Sequence, residues 1–395
     1  MIEWNYTSLD SKSNGYEQVI DYLKQFDKAF YNSCSEQEKE LVINKIFNIY
    51  RTINIFPILY FNEDGIKDEI LKCYNKDIVW DGKALDMKYT QGSSLCRFLF
   101  PNLYDVECKG QRNNSPYYKF YDDHKLKRAI KLALEIKNGV TPSEIRTSLE
   151  LIGGNVATNF PPMKAKALYE RYCPVGGSVY DFSCGFGGRL LGCLSSKNNY
   201  KYFGVEPCSE TFDNLNNLGR LVESALGRSK CFYILKCGSE CIKVKKEFAD
   251  FAFSSPPYFN LEVYSKEDTQ CYNKYPELES WFRGYVEPTI KNIYNALKPN
   301  RYYAVNIADF KVGQKNIKYV DRWIQISKDI GFEFIEEIPM KLQLRRGDGN
   351  TGEEEKKSEG IYVFKKIGNI DEDFNSLPPI DKKQPQEPEQ IKFEI

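Results

Sequence analysis

The sequence predicts an α/β fold in which a mostly parallel sheet is covered by helices on both faces, preceded by a mainly helical N-terminal domain. Between about residues 178 and 366, strand-like runs alternate with amphipathic segments, which is typical of consecutive βαβ units. Before residue 150 the apolar residues have helical spacing instead. We therefore expect domains at 1–150 and 151–368, followed by a tail, 369–395, whose proline and charge content predicts disorder.

Composition limits the classes of function. The chain has 395 residues, and 55 Lys and Arg balance 55 Asp and Glu, so any site for a polyanion must be a local patch. No signal-like N-terminus or run of about eighteen apolar residues occurs, which predicts an intracellular, cytoplasmic protein without a membrane partner. Twelve cysteines without a CxxC pair, and a single histidine, predict reduced, buried thiols rather than disulfides or a zinc site.

Three stretches of the N-terminal region have helical periodicity, namely 15–30, 35–50 and 122–139. The second stretch begins with Ser35 and Glu38, which have the spacing of a capping box. The third ends on Gly139, which we expect to be a helix C-cap. The sequence between the second and third stretches is richer in turns and aromatic residues and contains no recognisable catalytic motif.

The second region contains the strand-like runs, most of them separated by helix-like segments. They are 178–183, 200–207, 231–238, 249–255, 302–310, 332–340 and 359–366. The last two runs are joined by a polar loop, and we expect them to form an antiparallel hairpin at the edge of the sheet.

Candidate binding residues follow the first two runs, at the carboxyl ends of strands, where such sheets bind ligands. After the first run stands D-F-S-C-G-F-G-G, 181–188, whose glycines allow close approach of a ligand to the backbone. After the second run, Glu206 is positioned to accept both hydroxyls of a ribose. Together they predict a nucleoside-shaped pocket. The NAD fingerprint does not fit, because Leu190 stands at its third glycine.

The fourth run is followed by Ser255, Pro256, Pro257 and Tyr258. The two prolines fix φ and remove amide donors, so the Pro256 carbonyl is held in a preset direction. That carbonyl and the Ser255 side chain could accept hydrogen bonds from an exocyclic NH₂ group, while Tyr258 offers a face for stacking of a planar base. Two acceptors favour a pyramidal nitrogen whose lone pair can displace a methyl group in line.

The order of these motifs resembles that of the class I S-adenosylmethionine-dependent DNA amino-methyltransferases, of the N4-cytosine and N6-adenine type. The glycine turn resembles their motif I and S-P-P-Y their motif IV, over roughly 159–366, about half of the chain. The resemblance implies a Rossmann-like seven-stranded methyltransferase sheet with a C-terminal antiparallel hairpin. It also implies S-adenosyl-L-methionine as cofactor, no metal, and methyl transfer to the amino group of a base flipped out of duplex DNA.

The resemblance assigns site residues by position. Ser255, Pro256, Pro257 and Tyr258 would be catalytic. The implied cofactor-binding residues are Phe160, Asp181, Ser183, Cys184, Gly185, Phe186, Gly187, Glu206, Ser239 and Ser254. The implied substrate-binding residues are Phe259, Tyr264, Arg345 and Arg346. Ser239 stands where many relatives place an aspartate that contacts adenine, with Glu240 as the alternative.

Several alternatives stay open at this point. Serine as the first motif residue favours cytosine N4 over adenine N6, although the motif order is not the usual one for N4-cytosine enzymes. Target recognition falls to 1–150 by elimination, so 151–368 should bind the cofactor alone, and 259–276 could form a mobile flap over the base. A companion restriction system is a further expected partner. An RNA base-amine or protein-glutamine methyltransferase, or an inactive nucleic-acid-binding module, would fit the same pocket.

Overall fold

The computed structural model describes 13–108, 115–153, 156–341 and 358–367. These residues form two compact units. One contains the described residues up to Tyr60 and those between Tyr104 and Ala157, and the other contains Phe61–Leu103 and the described residues from Thr158 onwards. The segment Phe61–Leu103 lies within the predicted N-terminal domain, 1–150, yet it clusters with the sheet. The tail predicted at 369–395 lies outside the described residues.

Helices account for most of the N-terminal unit and surround the sheet in the other. In chain order they are α1 Ser13–Leu23, α2 Lys28–Ser33, α3 Glu36–Ile53, α4 Glu63–Asn75, α5 Ser93–Leu99, α6 Pro116–Tyr121, α7 Asp123–Ile136, α8 Pro142–Leu151, α9 Pro162–Tyr172, α10 Gly188–Leu194, α11 Ser209–Leu226, α12 Cys271–Lys274, α13 Leu278–Trp281, α14 Glu287–Ala296 and α15 Tyr319–Ile330. A 3₁₀ turn, Pro101–Asp105, follows α5, and a π-helical turn, Phe282–Val286, joins α13 to α14.

The sheet of the second unit has seven strands, as predicted. They are β1 Ser178–Asp181, β2 Lys201–Val205, β3 Phe232–Leu235, β4 Ala249–Ser254, β5 Leu297–Ile307, β6 Phe332–Lys341 and β7 Ser358–Lys366. Their spatial order is β3-β2-β1-β4-β5-β7-β6. Strands β1 to β5 pair in parallel, and β7 pairs antiparallel with both β5 and β6. The predicted Rossmann-like sheet with a C-terminal antiparallel hairpin is confirmed.

Short strands lie outside this sheet, at Glu107–Cys108, Glu262–Val263, Phe310–Val312 and Lys315–Ile317, the last two forming a hairpin.

Alternation of side chains along β4 builds a core on each face of the sheet. All of β4 is buried. On one face Phe251 and Phe253 contact Tyr169 of α9, with ring centroids 6.1 Å apart in both cases. On the other face Ala252 belongs to a core cluster that includes Trp323 of α15. The helices therefore cover both faces, which leaves the ends of the strands as the open edge of the sheet.

The helices of the N-terminal unit form a separate core. The capping box predicted at Ser35 and Glu38 is present at the start of α3. The hydroxyl of Tyr50, also on α3, donates to the carbonyl of Val140 over 2.7 Å and ties α3 to the residues after α7. The C-cap predicted at Gly139 is wrong, because Lys137 is already extended, with φ −105° and ψ −176°, and ends α7 before the glycine.

All twelve cysteines are free thiols, and most of them are buried. Within the parts of the chain that the structure describes, no helix combines the length and the apolar character needed to cross a bilayer.

Candidate active site

The candidate site lies at the carboxyl ends of β1 and β4, the neighbouring central strands from which the chain winds outward in opposite directions. In sheets of this kind the crevice at such a switch point is the ligand site. The last residues of the two strands, Asp181 and Ser254, are fully buried, and Ser254 Oγ donates to Asp181 Oδ1 over 2.7 Å. Ser254 Oγ also lies 3.1 Å from the carbonyl oxygen of Ser183. The end of β4 and the turn after β1 are therefore in direct contact.

Asp181 holds this turn together through protein contacts. Its Oδ2 accepts hydrogen bonds from Arg189 Nε at 2.7 Å and from the Tyr202 hydroxyl at 2.6 Å. Its Oδ1 accepts one from the Ser183 amide at 3.2 Å, in addition to that from Ser254. A cofactor group could contact this carboxylate, as the sequence predicts, only by displacing one of these donors. The geometry favours a structural role for Asp181.

Arg189 is a site residue that the sequence argument missed. It lies in the first turn of α10, is 4% exposed, and donates through Nη2 to the carbonyl of Ser183 as well as through Nε to Asp181. A guanidinium that binds both the strand end and the following loop fixes the path of the glycine turn. The available signal was one arginine in the otherwise apolar run G-R-L-L-G-C-L.

The glycines of the turn serve two purposes. Gly185 and Gly187 have left-handed φ values of 57° and 76°, which residues with a side chain seldom adopt. A Cβ on Gly187 would lie 2.5 Å from the ring of Phe100, and one on Gly188 would lie 1.9 Å from the carbonyl of Phe160. On Gly185 the nearest atom would be 3.7 Å away. Gly187 and Gly188 therefore allow protein packing, whereas Gly185 leaves space beside the turn.

Glu206 and Gly185, predicted to share one pocket, are within hydrogen-bond distance. The amide of Gly185 donates to Glu206 Oε2 over 3.1 Å, and the amide of Cys208 donates to Oε1 over 3.0 Å. Burial raises the pKa of Glu206 from 4.5 to about 7, although both amides favour the charged form. Each carboxylate oxygen has one N–H donor and therefore retains a lone pair for a further donor.

Hydroxyl groups line the neighbouring loops. Ser239, after β3, lies with its Oγ 2.7 Å from Thr289 Oγ1, and Ser183 Oγ lies 3.1 Å from the hydroxyl of Tyr285. Tyr285 belongs to the π-helical turn, a feature frequent at functional sites, and stacks on Trp281 with centroids 5.6 Å apart. Tyr285 is a site residue that no motif of the sequence predicts.

The alternative adenine contact, Glu240, is engaged through one of its two carboxylate oxygens. Its Oε1 accepts a hydrogen bond from Lys274 Nζ at 3.0 Å, and its side chain is 2% exposed. Its Oε2 has no hydrogen-bond partner among the described residues, so Ser239 and Glu240 both stay candidates for the adenine contact.

The S-P-P-Y corner begins where β4 ends. Ser255 Oγ donates to Oδ1 of Asn306, on β5, over 3.4 Å. Tyr258 is half-buried, and its ring meets Phe310 and Tyr319 edge to face, with centroids 6.1 and 5.8 Å away. The ring is thus held in one orientation by aromatic packing before any substrate arrives.

Two residues predicted to contact the substrate have different surroundings. Phe259 is 4% exposed, has a left-handed φ of 51°, and packs against Trp281 at 5.7 Å, so its side chain belongs to the core. Tyr264 is half-buried and its hydroxyl donates to Glu262 Oε2. Its ring centroid is 6.1 Å from that of Phe186, a predicted cofactor residue. Arg345 and Arg346 lie outside the described residues.

The remaining predicted cofactor residues lie in or next to the glycine turn. Phe160 is 6% exposed and packs on Phe253, with centroids 5.0 Å apart. Cys184 is 1% exposed, and its amide donates to the carbonyl of Val205 over 3.0 Å. The side-chain amide of Asn159 donates to the carbonyl of Phe186 over 2.7 Å. Only parts of these residues can face a ligand, because their side chains mostly support the turn.

The segment 259–276, expected as a flap, is tied to the start of α11. The carboxylate of Glu267 accepts hydrogen bonds from the amide of Ser209 at 2.9 Å and from its hydroxyl at 3.0 Å. Thr269 Oγ1 donates to the carbonyl of Pro207 over 3.1 Å. Both contacts lie just beyond Glu206, so the segment packs beside the predicted ribose position.

No protein-family model and no curated protein matches the chain. Solved structures with similarity to it include a TehB-like SAM-dependent methyltransferase from Corynebacterium glutamicum, with 15% identity and a TM-score of 0.33 over 54% of this chain and 90% of that one. A methyltransferase from Pyrococcus furiosus has 14% identity and a TM-score of 0.36 over 55% and 92%. A SAM-dependent O-methyltransferase from Thermotoga maritima has 14% identity and a TM-score of 0.33 over 56% and 72%. Likeness at this level does not identify a cofactor or a substrate.

Proposed function

We propose that the protein transfers a methyl group from S-adenosyl-L-methionine to the exocyclic amino group of a base in DNA, with cytosine N4 favoured over adenine N6. The observation that carries the proposal is the contact between the two motifs. Ser254, which precedes the S-P-P-Y corner, has its Oγ 3.1 Å from the carbonyl of Ser183 in the glycine turn. A group bound at the turn and a group bound at the corner would therefore be neighbours.

The residues at the turn fit the cofactor. Glu206 has an acceptor site left on each carboxylate oxygen, as the two hydroxyls of a ribose require, and Gly185 leaves space beside it. The hydroxyls of Ser183, Ser239 and Tyr285 offer donors and acceptors for polar edges of the nucleoside. When bound, the cofactor supplies an electrophilic methyl group on a sulfonium.

The corner suits a planar amine. Pro256 and Pro257 remove two amide donors, so the local carbonyls have no competing N–H partner in the corner itself. Ser255 adds a hydroxyl, and Tyr258 is a ring already fixed by Phe310 and Tyr319. Acceptors on the amine hydrogens make its nitrogen a better nucleophile, and preset geometry lowers the entropic cost of in-line attack.

DNA as the substrate is supported by the resemblance of S-P-P-Y to motif IV of the DNA amino-methyltransferases. A duplex base must be rotated out of the stack at a cost of a few kcal/mol, so further residues must read the sequence and hold the gap. We assign that task to the N-terminal unit. Its helix α7 carries the exposed cations Lys127 and Arg128, and Lys127 Nζ lies 4.7 Å from the ring centroid of Phe47.

The test is to incubate the purified full chain with radiolabelled S-adenosylmethionine and genomic DNA, total RNA or a protein extract. We expect label in DNA, and nucleoside mass spectrometry should identify N4-methylcytosine. Label in RNA or in protein would contradict DNA as the substrate. Cofactor binding without transfer to any of the three would show an inactive module.

A further inference from the structure

The corner has two half-buried carboxyl groups beside it that neither motif predicts. We propose that Glu359, supported by Glu262, accepts the proton that the target amine releases when it is methylated. This inference rests on the proposed function and assigns the proton acceptor of the same site.

Strand register places Glu359 at this edge of the sheet. Ser254 pairs with Val305, so Asn306 follows on β5 beside Ser255. Gly360 pairs with Ile307, so Glu359 stands where β5 ends. Because β7 runs antiparallel to β5, its first residues reach the carboxyl edge of the parallel strands, where the corner lies.

Asn306 connects the corner to Glu359. Its Oδ1 is 3.4 Å from Ser255 Oγ, and its Nδ2 donates over 3.1 Å to the carbonyl of Gly360, the residue that follows Glu359. The amide is 2% exposed, so water does not compete for these bonds. The corner and the carboxylate are thereby held in one arrangement.

The charged groups that face Glu359 come from separate elements. Glu262, in the short strand that follows the corner, is also half-buried and accepts a hydrogen bond from the Tyr264 hydroxyl. Lys164, on α9, is the cation near Glu359 among the described residues, and burial lowers its pKa. Both carboxylates act on the Tyr258 hydroxyl, whose pKa is raised by burial and then by Glu359 and Glu262. The two acids therefore lie within electrostatic range of the Tyr258 hydroxyl.

The reaction releases a proton that such an acceptor can take up. The amine nitrogen forms a bond to the methyl carbon, the carbon–sulfur bond breaks, and its electron pair stays on sulfur. The nitrogen then carries a positive charge and loses one proton, which passes to a carboxylate oxygen of Glu359 and from there to solvent. The hydroxyl of Ser255 and a peptide carbonyl are much weaker bases than a carboxylate. Burial and the neighbouring Glu262 raise the pKa of Glu359, which makes it a stronger base.

A purely structural role is the competing explanation, since Glu359 directly precedes Gly360, whose carbonyl holds Asn306. The two roles differ in their pH profiles. As a base, Glu359 must be ionised, so the rate of single-turnover transfer by the wild type should fall at acid pH, which gives the pH–rate profile an acid limb. In Glu359→Gln this acid limb should be absent, and the plateau rate should be roughly 100-fold lower. Glu262→Gln removes a neighbouring negative charge, lowers the pKa of Glu359, and moves the acid limb to lower pH. A structural role would change affinity but leave the position of the limb unaltered.

The experiment measures single-turnover transfer from radiolabelled S-adenosylmethionine by the full chain, from about pH 5 to about pH 9. The methyl acceptors are genomic DNA, total RNA and a protein extract, each in a separate reaction. Glu333→Gln, an exposed carboxyl on β6, is the matched control and should behave as wild type. Equilibrium dialysis with the cofactor shows that each variant is folded. Wild-type transfer to RNA or protein would overturn DNA as substrate, while the variants still test Glu359 on that acceptor.

The remaining outcomes decide the inference. If Glu359→Gln keeps both the wild-type rate and the wild-type acid limb, the inference about Glu359 is wrong, and the proposed function is unaffected. Loss of cofactor binding in both Glu359→Gln and Glu262→Gln would show a structural pair and also overturn it. Absence of transfer by wild type to all three acceptors would overturn both proposals.

Discussion

The amide nitrogen of Gly185 lies 3.1 Å from Oε2 of Glu206, which joins the turn after β1 to the end of β2 through a buried carboxylate. The carboxylate is 7% exposed and its pKa is raised to about 7. One residue therefore shapes the glycine turn and presents the remaining acceptor sites that we assign to a ribose.

We expect Glu206 to make the protein without cofactor less stable as the pH rises. The pKa in the folded chain, about 7, exceeds the ordinary value of 4.5, so the folded state binds more protons between these values. Stability from this group is complete below pH 4.5 and is lost as the pH rises to 7, by roughly 3 kcal/mol. Urea unfolding of wild type and Glu206→Gln at both ends of this range measures it. A difference between the two proteins that does not change with pH would contradict the assignment.

We expect Tyr258→Ala to abolish most methyl transfer while cofactor binding persists. Stacking of a base on an aromatic side chain is worth about 1–3 kcal/mol, so transfer at limiting substrate should fall about 5- to 150-fold. Tyr258→Phe keeps the ring and should retain most activity. Tyr233→Ala, at a tyrosine that is 44% exposed on β3, is the matched control. Equal loss in both alanine variants would show that the effect is not specific to the corner.

We expect Arg189→Met to be strongly destabilising. The ion pair with Asp181 is buried on both sides, with side chains 4% and 0% exposed, so removing the cation leaves an uncompensated charge. Breaking such a pair costs about 3–5 kcal/mol. Adding Asp181→Asn should recover part of the loss, which chemical denaturation of the two single variants and the double variant would measure. Additive losses would show that the two residues act independently.

We expect a fragment of residues 151–395 to fail to bind the cofactor, in contrast to the expectation from sequence. It lacks Phe100, which is fully buried against Gly187, and truncating such a ring costs about 3–5 kcal/mol. It also lacks the carbonyl acceptors of Lys166, which is 1% exposed. Equilibrium dialysis with labelled S-adenosylmethionine compares the fragment with the full chain. Cofactor affinity equal to that of the full chain would refute this.

The strands were predictable because aromatic and β-branched runs mark them plainly, as in 249–255 and 359–366. The start of β5 was not predictable from the local pattern of residues. The strand begins at Leu297 and runs through Lys298, Pro299 and Asn300, which do not form an aromatic or β-branched run. It also failed at the end of α7, where the chain becomes extended at Lys137.

The glycine turn, Glu206 and the corner were predictable because each follows a recognisable strand. Arg189 was not, because a lone arginine in a helix normally faces solvent, and only the fold brings it to Asp181. Glu359 was not, because its position depends on the register of β7 against β5, which the sequence leaves open. The clustering of 61–103 with the sheet was not predictable either, because it depends on contacts between residues far apart in the chain.

Because of Lys166, the docking of α4 depends on a residue that is translated much later. Its ammonium donates to the carbonyls of Cys73, Tyr74 and Lys76 at 2.9, 3.3 and 2.8 Å, and so closes the C-terminal end of α4. On the ribosome α4 emerges well before Lys166, with those carbonyls still bound to water. The first half of the nascent chain therefore holds a helix that cannot reach its final, docked form until α9 has been translated.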